Sequence, residues 1–178
     1  DHIIERAING INSGQTKYTA IDGTASLKNA IQKKFKDDNN LDYEHDEIIV
    51  SSGAKQTLFN LCMGLLGDGD EAIIPSPYWV SYPDMVRIAD AKPIFIDTGI
   101  ENDFKISAEQ LDNAISKKTK LLFLNSPSNP TGSCYSKNDL LKLAKVLLRN
   151  PGVYIASDDI YEKIHWGPSK FYNIATLV

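Results

Sequence analysis

At 178 residues, 42% hydrophobic and 24% charged, the chain has the composition of an ordinary globular protein and enough length for one domain with a buried core. A net charge of −4 leaves no electrostatic footprint for nucleic acid or an anionic membrane surface, and no apolar run approaches a membrane span. Two cysteines, Cys62 in the apolar stretch LFNLCMGLL and Cys134 after a glycine, suggest no disulfide framework and fit a reducing, cytoplasmic compartment.

The opening DHIIERAINGINSG reads as helix from the middle of a longer protein. Thr24 is placed to cap a second helix whose Leu27, Ile31 and Phe35 share one face. The lysine-rich patch Lys33-Lys34-Phe35-Lys36 runs at once into Asp37-Asp38 and reads as a solvated helix end. From there strand and helix patterns alternate. Short Ile-, Val- and Leu-rich runs at 47–50, 71–75, 93–97, 120–125 and 153–158 have the character of buried parallel strands. Between them, Leu58, Leu61, Cys62 and Leu65 stripe a helix over 54–66, shorter candidates lie at 79–89 and 107–116, and a Leu140-Leu143-Ala144-Leu147-Leu148 stripe spans 137–149 before Pro151-Gly152. This alternation predicts an α/β fold, a parallel sheet flanked by helices in three layers (α/β/α).

Ligands of such sheets bind beyond the carboxyl ends of the strands, so the residues just after each strand carry the functional information. Ser51-Ser52-Gly53-Ala54-Lys55 runs into a helix, where free backbone N–H groups and the helix dipole favour an anion; many βα turns share that composition. Trp79, after Pro75-Ser76-Pro77-Tyr78, offers either a flat face for a planar ligand or core packing. The stretch NSPSNPTG (125–132) carries two prolines that restrict the loop around Asn129 and make Asn129–Pro130 a candidate cis peptide. Asp158 ends an apolar strand, where a carboxylate requires a protonated ring nitrogen, an arginine or several donors; Tyr161 follows three residues later. Tyr82, one helical turn beyond Trp79, is placed to support Asp158.

Together these stretches resemble the class I/II aminotransferases, fold-type I enzymes dependent on pyridoxal 5′-phosphate, and most closely the bacterial-type aspartate aminotransferase branch. The matching segments are TKYT (16–19), SSGAKQTLFNL (51–61), PSPYWVSYPDMV (75–86), NSPSNPTG (125–132) and SDDIYE (157–162), in family order over essentially the whole chain. The resemblance implies that the backbone at Ala54 and Lys55 binds the cofactor phosphate and that Trp79 packs on the ring and borders the substrate. It implies further that Asn129 contacts the ring oxygen and substrate, that Asp158 pairs with the pyridine nitrogen, and that Tyr161 contacts the ring oxygen. Tyr18 matches a tyrosine that reaches the cofactor of a neighbouring subunit, which implies a homodimer. Asp159 departs mildly from the glutamate more usual in the family. No catalytic residue is expected within the chain: the Schiff-base lysine would lie beyond Val178, Lys163 and Lys170 have the wrong spacing, and Ser169-Lys170 only imitates its motif. Residues 1–178 are therefore expected to be part of the large, cofactor-binding domain, without the N-terminal segment and the C-terminal small domain. The implied activity of the full-length parent is amino transfer between L-aspartate and 2-oxoglutarate. The alternatives are aromatic or prephenate transamination, or an inactive truncated fragment.

Overall fold

Side chains alternate between the two faces of an extended strand, and a run that is apolar at every position demands cover on both. Residues Leu121, Leu122, Phe123 and Leu124 form such a run, each no more than 2% exposed. The computed structural model describes residues 1–166 and 170–177; Ser169 and Val178 lie outside the described residues. Among them, β1 (Glu71–Ser76), β2 (Lys92–Asp97), β3 (Thr119–Asn125) and β4 (Tyr154–Asp158) make one parallel sheet in the order β2-β1-β3-β4.

Helices cover both faces. On one side α3 (Ala54–Leu65) and α4 (Ser81–Ile88) pack Leu58, Cys62, Met85 and Val86 against Ala72, Ile74, Leu121 and Phe123. On the other, α5 (Ala108–Ala114) and α6 (Lys137–Leu147) set Leu111, Leu140 and Leu143 against Ile73, Leu122 and Leu124. The three layers expected from the strand–helix alternation are present. Ser107 and Ser136 cap α5 and α6 through reciprocal bonds with Gln110 and Asp139, which explains where those helices begin.

N-terminal to the sheet, α1 (His2–Asn12) presents Ile3, Ile4, Ile8 and Ile11 to solvent, and α2 (Ala25–Lys34) starts at Thr24, whose side chain accepts the Leu27 N–H. The exposed pairs Lys33–Asp37 and Lys36–Asp42 fit the solvated helix end read from the sequence.

One expectation is corrected. Residues 47–50 form no strand. His45–Glu47 is a 3-10 turn, and beyond it the Val50 N–H donates to the Asp22 carbonyl at 3.0 Å instead of joining a ladder. A β-prone run becomes a strand only beside a partner, and the described sheet begins at Glu71. In α2 Leu27 is exposed and the buried residue is Lys28, whose ammonium pairs with Asp22 and donates to the His45 carbonyl at 2.8 Å.

Candidate functional site

The strand order reverses between β1 and β3: the chain leaves β1 toward β2 on one side and returns through β3 to β4 on the other. A crevice at the carboxyl ends of the strands follows from that reversal. There Ala54, Lys55, Trp79, Tyr82, Asn125, Asn129, Asp158, Ile160 and Tyr161 enclose a cavity of about 210 Å³. The six within-chain site residues singled out from the sequence thus come from four separate segments to one place. Tyr18 is not on this cavity; its side chain is fully exposed.

Asp158 stands at the last position of β4, held by the ladder to β3, where Asn125 is its register partner. Its Oδ2 accepts the Tyr82 hydroxyl at 2.6 Å and its Oδ1 accepts the Ile160 N–H at 3.3 Å. Among the described residues it pairs with no cation, so the carboxylate keeps the capacity to bind a positively charged group. Tyr82 is 2% exposed, stacks on Phe123 at 4.7 Å and meets Trp79 edge-on at 5.4 Å. Burial, reinforced by the hydrogen bond to Asp158, pushes its phenol well above the ordinary range. Tyr82 therefore stays protonated and donates at every working pH. Trp79 in turn carries the Lys55 ammonium 5.1 Å from its ring centroid, a cation–π contact at the cavity mouth.

At the start of α3 the chain turns through Gly53, whose φ of 91° lies where other residues are strained. The first helical bonds run from the Gln56 and Thr57 N–H groups to the Gly53 carbonyl, at 3.1 and 3.2 Å. The N–H groups of Ala54 and Lys55 come before them in the first turn and have no intrahelical acceptor. The arrangement can hold an anion by backbone donors, a flat ring beside Trp79 and a cationic ring atom at Asp158. It also offers two polar side chains, Asn129 and Tyr161, to a further oxygen.

The NSPSNPTG loop closes on itself through Gly132 N–H to Ser128 C=O and Ser128 N–H to Ser133 C=O, both 2.8 Å. Asn129–Pro130 is cis, as expected, and so are Ser126–Pro127 and Ser76–Pro77. Sequence reasoning credited the prolines with holding this loop and overlooked Asn125, whose side chain bonds both Asn129 and Asp158. Its visible sign was an asparagine closing an apolar strand immediately before the loop. Asp159, noted only as a departure from a pattern, is a second omission. Burial raises its carboxyl to about 6, against hydrogen bonds from Ser157 at 2.8 Å and from Asn173. Lys163, in contrast, is drawn away to an ion pair with Asp38 at 2.8 Å and does not line the cavity.

Comparison with known proteins agrees with this geometry. The chain matches the family described as aminotransferase class I and II over residues 1–178. The aspartate/prephenate aminotransferase of Nitrosomonas europaea is 55% identical over 97% of the chain and 44% of its own length. The aspartate aminotransferase of Bacillus subtilis is 49% identical over 99% of the chain and 44% of its own length. The crystal structure of an aspartate aminotransferase from Rhizobium meliloti superposes with a TM-score of 0.97 at 48% identity, covering 99% of the chain and 44% of that protein. The chain thus spans about 44% of the length of the curated relatives it matches.

Proposed function

Because the chain belongs to the class I and II aminotransferases, we propose that it is the cofactor-binding part of the large domain of a pyridoxal-phosphate-dependent aminotransferase that moves an amino group between L-aspartate and 2-oxoglutarate. The observation that carries this reading is the convergence of Ala54, Lys55, Trp79, Asn129, Asp158 and Tyr161 on one cavity, with a hydrogen-bonded carboxylate that pairs with no cation among the described residues.

The donor set fits pyridoxal 5′-phosphate. The backbone N–H groups of Ala54 and Lys55 would hold the phosphate, and the dipole of α3 adds to the attraction. Trp79 would lie against the ring and border the substrate, with Asn129 on the substrate side as well. Asp158 would hold a proton on the pyridine nitrogen. Asn129 and Tyr161 would bond the ring oxygen. When bound, the cofactor supplies an electron sink for the carbanion formed at the amino acid's α carbon. The protein's part is to fix charge and orientation. The Tyr82 hydroxyl on Oδ2 and the Ile160 N–H on Oδ1 fix the orientation of the Asp158 carboxylate, and Phe123 and Trp79 pack against the Tyr82 ring.

The same proposal takes the lysine that carries the cofactor, and the groups that read the substrate carboxylates, to lie in sequence outside these residues. It also takes the protein to work as a cytoplasmic homodimer. The exposed Tyr18 and the four exposed isoleucines of α1 support a subunit contact there, and no helix among the described residues is long and apolar enough to cross a membrane. A second amino acceptor, prephenate, is favoured by the activity named for the Nitrosomonas relative.

The test is to purify the full-length protein, titrate it with pyridoxal phosphate by absorbance, trap the adduct with borohydride, and assay aspartate with 2-oxoglutarate and with prephenate. A borohydride-stable adduct and oxaloacetate formation support the reading. No cofactor binding refutes it, and turnover of other amino acids alone refutes the substrate assignment.

A further inference from the structure

Asn125 is the last residue of β3 and stands in register with Asp158. Its amide Nδ2–H donates to the Asp158 backbone carbonyl at 2.7 Å, and its Oδ1 accepts the Asn129 backbone N–H at 2.7 Å. One planar group thus joins the end of β4 to the middle of the loop. The Ser126 N–H, at the start of the loop, donates to the same Asp158 carbonyl at 3.3 Å, and the rest of the loop is fastened elsewhere. The Ser126 hydroxyl accepts the Tyr135 N–H at 3.1 Å, and Ser128 bonds both Gly132 and Ser133. Asn125 supplies the described bond between Asn129 and the sheet.

We propose that Asn125 is a positioning residue that sets where Asn129 stands relative to Asp158, and hence the spacing between the ring-oxygen and ring-nitrogen contacts of the cofactor. The role requires a donor and an acceptor on one short, rigid side chain. Aspartate lacks the donor, serine offers a single atom, and glutamine adds a methylene that lengthens the reach. A loop that must aim a side chain within a fraction of an ångström is better anchored to the strand that carries the opposing contact than to its own turns. Asn125 touches the cavity, but its two bonds are both to backbone, so its effect on the cofactor passes through the placement of Asn129.

The inference rests on the cofactor reading of the site, and the experiment separates the two. In the full-length protein, Asn125→Ala, Asn129→Ala and the double variant are compared by pyridoxal-phosphate dissociation constant, by the pH midpoint of the bound cofactor's absorbance, and by the thermal midpoint without cofactor. Loss of a well-placed hydrogen bond predicts about tenfold weaker cofactor binding for Asn125→Ala. It also predicts a shift of the pH midpoint in the same direction as that of Asn129→Ala. In the Asn129→Ala background, Asn125→Ala should leave that midpoint where it is, because the side chain it aims is already gone. If Asn125→Ala does not fold, Asn125→Ser carries the same comparison. Additive midpoint shifts, or wild-type affinity and midpoint in the Asn125 variant, overturn the positioning role. A wild-type protein that binds no pyridoxal phosphate overturns instead the reading of the site.

Discussion

Replacing Tyr82 by phenylalanine removes a single oxygen from a side chain that is 2% exposed. The ring keeps its volume, its stacking on Phe123 at 4.7 Å and its edge contact with Trp79 at 5.4 Å, so no cavity term enters. What is lost is a 2.6 Å hydrogen bond to Asp158 Oδ2, leaving the carboxylate with the longer 3.3 Å contact from the Ile160 N–H. A hydrogen bond to a charged acceptor contributes roughly 1.5–3 kcal/mol, and about 1.4 kcal/mol is a factor of ten in a binding constant. The bond fixes the carboxylate that meets the ligand's cation, so Tyr82→Phe should weaken pyridoxal-phosphate binding by about ten- to a hundredfold. The assay is a pyridoxal-phosphate titration of wild type and Tyr82→Phe, with the thermal midpoint without cofactor followed in parallel. Wild-type affinity in the variant would refute the argument that Tyr82 acts through Asp158. A lower thermal midpoint with unchanged affinity would mean that the hydroxyl serves packing alone.

Three further outcomes follow from the same geometry. Cys62 is fully buried and desolvation raises its thiol to about 11, so in native protein at pH 8 iodoacetamide should leave Cys62 unmodified while the unfolded protein reacts, as read by peptide mass spectrometry; labelling in the native state would contradict the packing. Phe123→Ala should cost about 3–5 kcal/mol in chemical denaturation, since a ring 1% exposed is removed from between the sheet and Tyr82; a loss below about 1 kcal/mol would show that the site collapses freely. For Asp159 the folded carboxyl sits at about 6 against 3.8 for the free group, so folding binds a proton in that window and the group's contribution to stability falls as pH rises from 3.8 to 6. Asp159→Asn should therefore flatten the stability profile between those pH values and raise stability above pH 6 by at most about 3 kcal/mol; an unchanged slope in pH-dependent denaturation would show that Asp159 titrates as an exposed carboxyl.

The site was legible in the sequence because of how parallel α/β sheets are built. A buried parallel strand must be apolar on both faces, so β1 to β4 stand out as short aliphatic runs, and the residues that follow them necessarily meet at one edge of the sheet. Trp79, Asn129, Asp158 and Tyr161 could be assembled from that rule without knowing any contact between them. Tyr82 was within reach for a similar reason, since one helical turn from Trp79 fixes its direction. The run at 47–50 failed because strand formation depends on a neighbour, which local composition does not encode. The burial of Lys28 was not legible for the same kind of reason: it depends on Asp22 and on the carbonyl of His45, 17 residues away.

Asn125 shows where the boundary falls. Its strand and its loop could both be read, but its bond to Asp158 spans 33 residues and exists only because β3 and β4 align in register. Hydrophobic periodicity places the elements, and the elements bring the reactive side chains near one another. The last ångström of their spacing is then set by polar groups whose partners are chosen by register, and such a residue looks in the sequence like any other asparagine at the end of a strand. An asparagine that closes a strand beside a cavity-lining loop and faces the last residue of the neighbouring strand is therefore a better candidate for a positioning role than the prolines that make the loop conspicuous.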